Sequence, residues 1–216
     1  MATLFTDEEL AAIRAAVAKA ERRTQGEIVP MVVPVSGRYR DASYLAGLIL
    51  ALVTLAVLVS LDSGWSQWRW TAHHSAWMIV GVLMAYALGS FIGRFPAIIR
   101  LLTSDERMAM KVRLRAERAF YEHGLHKTTE GTGILIFLSL LERRAQILAD
   151  QAIDARVPPG TWDTLVRDLV DGIRADRRTD AFCDVIARCG DLLAIHFPPR
   201  DGENPNELPD ELIRGT

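Results

Sequence analysis

Residues 133–149, which read GILIFLSLLERRAQILA, contain the strongest strand signal in the chain. The apolar run opens on Gly133 and extends to Leu140, and its isoleucine and phenylalanine residues favour a buried strand. Leu141–Arg143 provide a polar turn, and Arg144–Ala149 continue as a second strand. The stretch therefore predicts a β-hairpin, around which the other elements must be arranged.

Helices and one more strand are predicted on either side of this hairpin. Thr6–Glu9 have the capping-box pattern of a helix start, and the β-branched, apolar stretch 27–35 favours a strand. Pro30 and Pro34 place two missing N–H groups on one side of that strand, which predicts a position at the sheet edge. Further helices are expected over about 103–122, 162–173 and 180–196. Helices and strands in this order predict a small sheet covered by helices, an α/β fold.

Two uncharged apolar runs interrupt this soluble pattern. They are SYLAGLILALVTLAVLVSL at 43–61 and SAWMIVGVLMAYALGSFIG at 75–93. Each would be roughly 30 Å long as a helix, which matches the hydrocarbon thickness of a bilayer. We expect a two-helix transmembrane hairpin inserted into one soluble domain. The predicted segments are 1–41 for the first part of the domain, 42–95 for the hairpin, 96–197 for the remainder, and 198–216 for a flexible tail.

Positive charge near the two runs predicts their orientation. Arg38 and Arg40 precede the first run, Arg94 and Arg100 follow the second, and the short connection holds only Arg69. By the positive-inside rule both termini should be cytoplasmic. Four tryptophans near the connection should lie in the membrane interface, namely Trp65, Trp68, Trp70 and Trp77.

Charge also limits the classes of function. The formal net charge of −2 over 216 residues gives no reason to expect a nucleic-acid partner. Neither apolar run contains Asp, Glu, Lys, Arg or His, which argues against an ion or proton path. An anchoring role for the hairpin is the simpler interpretation, with membrane lipid as its surroundings.

Small residues recur every four positions in the second run, at Gly81, Ala85, Gly89 and Gly93. Such a stripe allows two helix backbones to approach closely. It could receive the first run of the same chain, through Gly47, Ala51 and Thr54. It could also form the contact of a homodimer.

A second stripe, on the helix predicted from about 103 to 122, is basic. It consists of Arg107, Lys111, Arg115 and Arg118. Each charge would contribute about 1 kcal/mol at an anionic lipid surface. The stripe is therefore either a lipid contact or an ordinary solvated face.

Residues 132–153, TGILIFLSLLERRAQILADQAI, resemble the signature of the TPM domain, and residues 24–29 resemble the helix-to-strand junction of that family. The resemblance covers roughly residues 5–40 and 105–196. The family includes thylakoid-lumen phosphatase-like proteins and membrane-attached bacterial proteins. It implies a location in the bacterial inner membrane, a protein partner such as a LemA-like membrane protein, and a possible phosphatase-like activity.

The chain departs from the usual TPM pattern in two places. The apolar hairpin interrupts the domain after its first strand, whereas most relatives carry a terminal anchor or signal. The Gly-x-Gly segment that often follows the second hairpin strand is replaced here by residues 150–153. Residues 150–153 therefore lack the glycines that the family pattern has in that loop.

Polar residues frame the ends of the predicted hairpin, namely Glu130, Glu142, Arg143, Asp150 and Asp154. Asp150 and Asp154 are four residues apart and could offer oxygen ligands to Ca²⁺ or Mg²⁺. Alternatively, Asp150 caps a helix start, and Glu142 lies in a turn with surface ion pairs.

Motifs for covalent chemistry are absent from the sequence. Ser139 lies in an apolar strand without a surrounding GxSxG, and there is no P-loop, HExxH or CxxC. Two functions remain open. One is an integral inner-membrane protein whose TPM-like domain is a non-catalytic interaction or assembly module. The other is a metal-dependent phosphatase-like hydrolase at the membrane.

Overall fold

A computed structural model of the chain describes residues 5–63, 72–128, 131–199 and 208–215. The described part contains eight α-helices and four strands: α1 Asp7–Glu21, β1 Glu27–Val33, α2 Arg40–Ser63, α3 Ala72–Ile92, α4 Pro96–Leu102, α5 Asp105–Glu122, β2 Gly133–Ser139, β3 Arg144–Ala149, α6 Gln151–Asp154, α7 Thr161–Arg174, α8 Arg178–His196 and β4 Ile213–Arg214. Two compact units are present, residues 1–37 with 109–216, and residues 38–108.

The first unit contains one sheet with the strand order β3-β2-β1-β4. β2 and β3 form the predicted antiparallel hairpin, with Ile134 opposite Ala149 and Ser139 opposite Arg144. β1 lies parallel to β2, and Glu27 is opposite Gly133. The predicted hairpin and the mixed α/β fold are thus confirmed.

The predicted flexible tail at 198–216 is wrong for its last residues, because Ile213–Arg214 pairs as β4 with Met31 and Val32. The N–H of Gly215 donates to the carbonyl oxygen of Val32 at 3.0 Å. Leu212 is buried, and burial of this apolar side chain favours the docked segment. As a result β1 is not the edge strand that its prolines predicted. Pro30 removes an N–H donor from this side of β1, but the carbonyl oxygens on the same side can still accept hydrogen bonds from a short partner strand, as that of Val32 does.

Helices cover both faces of the sheet. α1, α7 and α8 pack on one face, where Ile136, Leu169 and Phe182 belong to the larger core. α5 covers the other face, where Val112 and Phe137 belong to a second core. Every residue of β1 and β2 is buried for this reason, which accounts for their nearly continuous apolar sequences.

The predicted start of α1 is confirmed in detail. The Thr6 hydroxyl oxygen accepts the N–H of Glu9 at 3.2 Å, and the Glu9 carboxylate accepts the N–H of Thr6 at 2.7 Å. Two N–H groups that the helix itself cannot satisfy are thereby paired.

The second unit contains α2, α3 and α4, and α2 packs against α3. By length and composition the segment Arg40–Leu61 could cross a membrane, since the mean hydropathy of its 18-residue window is 2.5. The segment Ala76–Ile92 meets the same criterion only together with α4, from which it is bent by 100°. Trp65, Trp68 and Trp70 lie outside the described residues, so their predicted interfacial position stays a prediction.

The small-residue stripe of α3 lies against α2 of the same chain. A Cβ atom added at Gly89 would lie 2.7 Å from the carbonyl oxygen of Ala46. One added at Gly93 would lie 2.7 Å from the Cα of Ser43, but at Gly81 the nearest atom, in Leu58, is 3.7 Å away. The close approach is therefore confined to one end of the stripe. Since α2 already occupies that end, we do not propose it as a dimer contact.

Candidate functional site

The carboxyl ends of β1 and β2 lie together at one edge of the sheet, because the two strands are parallel and in register. In α/β sheets this edge is the usual place for a ligand. Ser139 is the last residue of β2, and Ser36 follows the end of β1 by three residues. Glu142 lies in the hairpin turn beside them.

Three of these polar residues form a hydrogen-bonded network. The Ser36 hydroxyl donates to the Ser139 hydroxyl oxygen at 2.7 Å, and the Ser139 hydroxyl donates to the Glu142 carboxylate. The other carboxylate oxygen of Glu142 accepts the backbone N–H of Ser36 at 3.0 Å. Ser139 is fully buried and Glu142 is 5% exposed, so the network is largely removed from water. Such bonds fix the ends of both strands.

A cleft of about 470 Å³ opens at the same end of the sheet. It combines apolar walls with guanidinium groups. Its lining residues are Leu138, Ser139, Leu140, Arg143, Val170, Ile173, Arg174 and Arg178. They come from the end of β2, the hairpin turn, the last turns of α7 and the first turn of α8.

The three arginines of the cleft differ in their partners. Arg174 pairs with Asp171 at 3.2 Å, and Arg178 pairs with Asp176 at 2.6 Å. Within the described part of the chain the guanidinium of Arg143 makes no ion pair or hydrogen bond. Its backbone has a φ of +52°, a conformation that non-glycine residues rarely adopt. Among the described residues the cleft thus has one uncompensated positive charge, on a backbone that favours glycine.

The predicted polar constellation is divided between the two ends of the hairpin. Glu142 and Arg143 lie in the turn, whereas Asp150 follows the far end of β3. An antiparallel hairpin necessarily separates its turn from its strand termini, here by about 20 Å at 3.3 Å per residue. Glu130 lies outside the described residues.

The two predicted metal ligands each have another partner. Asp150 caps α6 and accepts the N–H of Gln151 at 2.6 Å. Asp154 accepts the indole N–H of Trp162 at 2.8 Å. Among the described residues, no three His, Cys, Asp or Glu side chains come together as a metal site. The geometry matches the capping alternative, and the Ca²⁺ or Mg²⁺ site stays a prediction.

Most of the predicted basic stripe is paired with acidic residues. Arg107 pairs with Asp41 at 2.6 Å. Glu122 pairs with both Arg118, at 2.6 Å, and Arg115, at 3.4 Å. The side chain of Lys111 passes beside Gly37. Lipid contact by Arg107, Lys111, Arg115 and Arg118 stays a prediction, which binding of charge-reversed variants to anionic liposomes would test.

A buried carboxyl group lies at the other end of the parallel strands, near the amino end of β1. Glu21, at the end of α1, accepts the N–H of Ile28 at 2.8 Å. Burial, together with the nearby carboxyl groups of Glu27 and Asp210, raises the pKa of Glu21 to about 8. The hydrogen bond from Ile28 acts in the opposite direction and is outweighed. Glu21 is thus protonated over much of the neutral range.

Sequence reasoning missed four polar residues of the site, namely Ser36, Ser139, Arg174 and Arg178. Ser139 carried a usable signal, since it is the polar residue that ends an otherwise apolar strand. Ser36 likewise follows the first strand. Had β1 and β2 been predicted as parallel, their ends would have been placed side by side.

The fold and the cleft define an α/β domain with a candidate ligand site at the carboxyl ends of its parallel strands. Residues 97–192 match the family model described as the TPM domain. The chain therefore contains a TPM domain, which confirms the resemblance carried by residues 132–153.

One solved structure has a similar fold. It is the BA42 protein of the psychrophilic bacterium Bizionia argentinensis, determined by NMR, with a TM-score of 0.59. The alignment covers 100% of this chain and 98% of that chain at 18% sequence identity, so the similarity concerns the fold alone. No curated protein matches the chain.

Proposed function

We propose that this protein is an integral inner-membrane protein whose TPM domain is a non-catalytic binding module. The observation that carries the proposal is the composition of the carboxyl-end site. It offers arginines and apolar walls to a ligand, while the side chain of Ser139 is 0% exposed. The site is thus equipped to hold a group rather than to attack one.

Exposure of apolar side chains supports the membrane part of the proposal. Only 11% of the most apolar window of the segment Arg40–Leu61 is buried within the protein. Leu52 and Leu61 of α2 are 55% and 71% exposed, and Leu83 of α3 is 62% exposed. An aqueous surface rarely carries so much contiguous apolar area, whereas a bilayer favours it.

The proposed topology has both termini in the cytoplasm. It is supported by Arg38 and Arg40 before the apolar part of α2 and by Arg94 and Arg100 after α3. Resistance of the protein to alkaline extraction tests insertion. A cytoplasm-active reporter fused to either end tests orientation. A second reporter, which is active only outside the cytoplasm, should be inactive at both ends. Its activity at either end would contradict the topology.

The buried position of Ser139 supports binding over catalysis. A serine nucleophile must reach its substrate and pass its proton to a base. Ser139 does donate to a carboxylate, but it is 0% exposed, and the Ser36 hydroxyl already donates to its oxygen. Attack on a ligand in the cleft would first require the Ser139 oxygen to become exposed to that ligand.

The competing function is a metal-dependent phosphatase-like hydrolase. Purified full-length protein assayed on p-nitrophenyl phosphate with Mg²⁺ or Ca²⁺ separates the two proposals. We expect no turnover above that of a heat-denatured sample. Turnover that is lost in Asp150→Ala would overturn the non-catalytic proposal, because Asp150 otherwise serves only as a helix cap.

The partner is proposed to be a membrane protein of the LemA-like kind, which the TPM resemblance suggests. Reciprocal co-purification of the two tagged proteins from native membranes tests this proposal. The proposal would be contradicted if each protein recovered no more of the other than it recovers of an unrelated membrane protein.

A further inference from the structure

We propose that the cleft at the carboxyl end of β2 binds an organic carboxylate, meaning a single carboxylate group attached to an apolar body. The inference rests on the proposed binding role and names the ligand class. It involves neither the Asp150 region nor the helices α2 and α3.

The size and walls of the cleft suit such a ligand. Its volume of about 470 Å³ lies within the usual range for small-molecule sites, roughly 300–1,000 Å³. Leu138 and Leu140 supply apolar surface from the end of β2, and Val170 and Ile173 supply it from α7. A chain of several methylene groups, or a leucine-like side chain, would be removed from water between them.

The charge of the cleft favours one negative charge rather than two. Arg174 and Arg178 have acidic neighbours in Asp171 and Asp176, which are 70% and 81% exposed. Arg143 has no such neighbour in the described part of the chain. One uncompensated guanidinium matches a carboxylate in charge, and its planar donors match a carboxylate in shape.

The backbone of Arg143 supports a role in binding rather than in stability. At a φ of +52° a glycine would be more stable, and a bulky residue at such a position costs on the order of 1 kcal/mol. No ion pair with the described residues repays that cost. The turn does, however, place Arg143 among the residues that line the cleft.

The buried Glu142 does not oppose an anion in the cleft. Its carboxylate oxygens accept hydrogen bonds from Ser36 and Ser139, and Glu142 is not one of the lining residues. Its charge is therefore partly satisfied by donors inside the domain before a ligand arrives.

Isothermal titration of the full-length protein in nanodiscs of zwitterionic lipid tests the proposal. Hexanoate represents a free acid and N-acetylleucine a peptide C-terminus, with hexanamide and N-acetylleucinamide as neutral controls. We expect both carboxylates to bind, each at least about tenfold more tightly than its amide. If hexanoate binds more tightly, the natural ligand is a free acid; if N-acetylleucine binds more tightly, it is a peptide C-terminus. Equal binding of acid and amide, or tighter binding of hexyl phosphate than of hexanoate, would overturn the proposal.

Two variants locate the site. Arg143→Gly should weaken hexanoate at least about tenfold while preserving or raising the melting temperature, because glycine suits a φ of +52°. Arg113→Gln removes the same charge from an exposed ion pair with Glu117 outside the cleft, and should leave the affinity unchanged. Equal losses in both variants would overturn the assignment.

The outcomes also separate this inference from the proposed function. If hexanoate does not bind but the partner protein is still recovered, only this inference is contradicted. If the protein hydrolyses a phosphomonoester and still binds hexanoate, only the non-catalytic function is contradicted.

Discussion

The hydroxyl group of Ser36 donates a hydrogen bond of 2.7 Å to the hydroxyl group of Ser139, although 103 residues separate them in the chain. The intervening chain includes the whole second unit, residues 38–108. The bond therefore joins the two sequence segments from which the TPM sheet is assembled. One of its two partners, Ser139, also lines the cleft at the carboxyl end of β2.

Removing the hydroxyl of Ser139 should destabilise the domain. In Ser139→Ala the buried Glu142 carboxylate loses a donor, which costs about 1–3 kcal/mol. Hydrogen exchange of peptides that cover β2, measured on the full-length protein, should report this loss. Thr164→Ala, on an exposed helix surface, is the control and should change the exchange little. The double variant Ser139→Ala/Glu142→Gln should recover part of the lost stability. A buried amide that lacks one hydrogen-bond donor costs less free energy than a buried carboxylate that lacks one. No recovery would mean that Glu142 is not stabilised by Ser139.

Stability should fall as pH rises through the neutral range because of Glu21. Its pKa is about 8 in the folded chain against an ordinary value of 4.5. Between these values the folded protein holds a proton that the unfolded protein releases, so stabilisation is complete below pH 4.5 and is lost as pH rises to 8. Glu21→Gln should remove this slope and gain on the order of 3 kcal/mol at pH 9. Its amide oxygen can still accept the N–H of Ile28.

Melting temperatures at pH 5 and pH 9 check this expectation, and Glu8→Gln at the exposed start of α1 is the control. An unchanged pH slope in Glu21→Gln would show that another group carries the dependence.

Contact between α2 and α3 should be sensitive to side-chain size at Gly89 but not at Gly81. A methyl group at Gly89 would meet the Ala46 carbonyl oxygen at 2.7 Å, whereas at Gly81 the nearest atom is 3.7 Å away. Overpacking of this kind costs about 1–3 kcal/mol. Thermal unfolding in detergent should therefore show a lower melting temperature for Gly89→Ala than for Gly81→Ala. Equal melting temperatures, with a loss of crosslinked dimer in Gly89→Ala, would favour the homodimer alternative instead.

Asp154 should act as a hydrogen-bond acceptor rather than as a metal ligand. Its carboxylate accepts the indole N–H of Trp162 at 2.8 Å. We expect Asp154→Ala to lose about 0.5–1.5 kcal/mol of stability without any added cation. Millimolar Ca²⁺ or Mg²⁺ should leave the melting temperature of the unmodified protein unchanged. A rise with Ca²⁺ that disappears in Asp150→Ala would show that the predicted metal site exists.

Secondary structure could be predicted from the sequence because its causes lie within a few residues. The capping box of Thr6 and Glu9 fixes the start of α1, and the apolar run after Gly133 with its polar turn fixes the hairpin. The candidate site could not be predicted in the same way. The spacing of Asp150 and Asp154 predicts a pair of metal ligands, whereas in the structure Asp150 accepts a hydrogen bond from Gln151 and Asp154 accepts one from Trp162.

Local patterns in the chain thus specified the helices, the hairpin, the two apolar segments and the TPM resemblance. Each depends on periodicity, capping or composition over a short stretch of residues. The pairing of distant segments settled the rest. Parallel alignment of β1 with β2 brought Ser36 to Ser139, the docking of α7 and α8 brought Arg174 and Arg178 to Arg143, and β4 joined β1 at Val32. These contacts arise only when backbone hydrogen bonds and buried apolar surface are satisfied across the whole sheet, which no short stretch of sequence records.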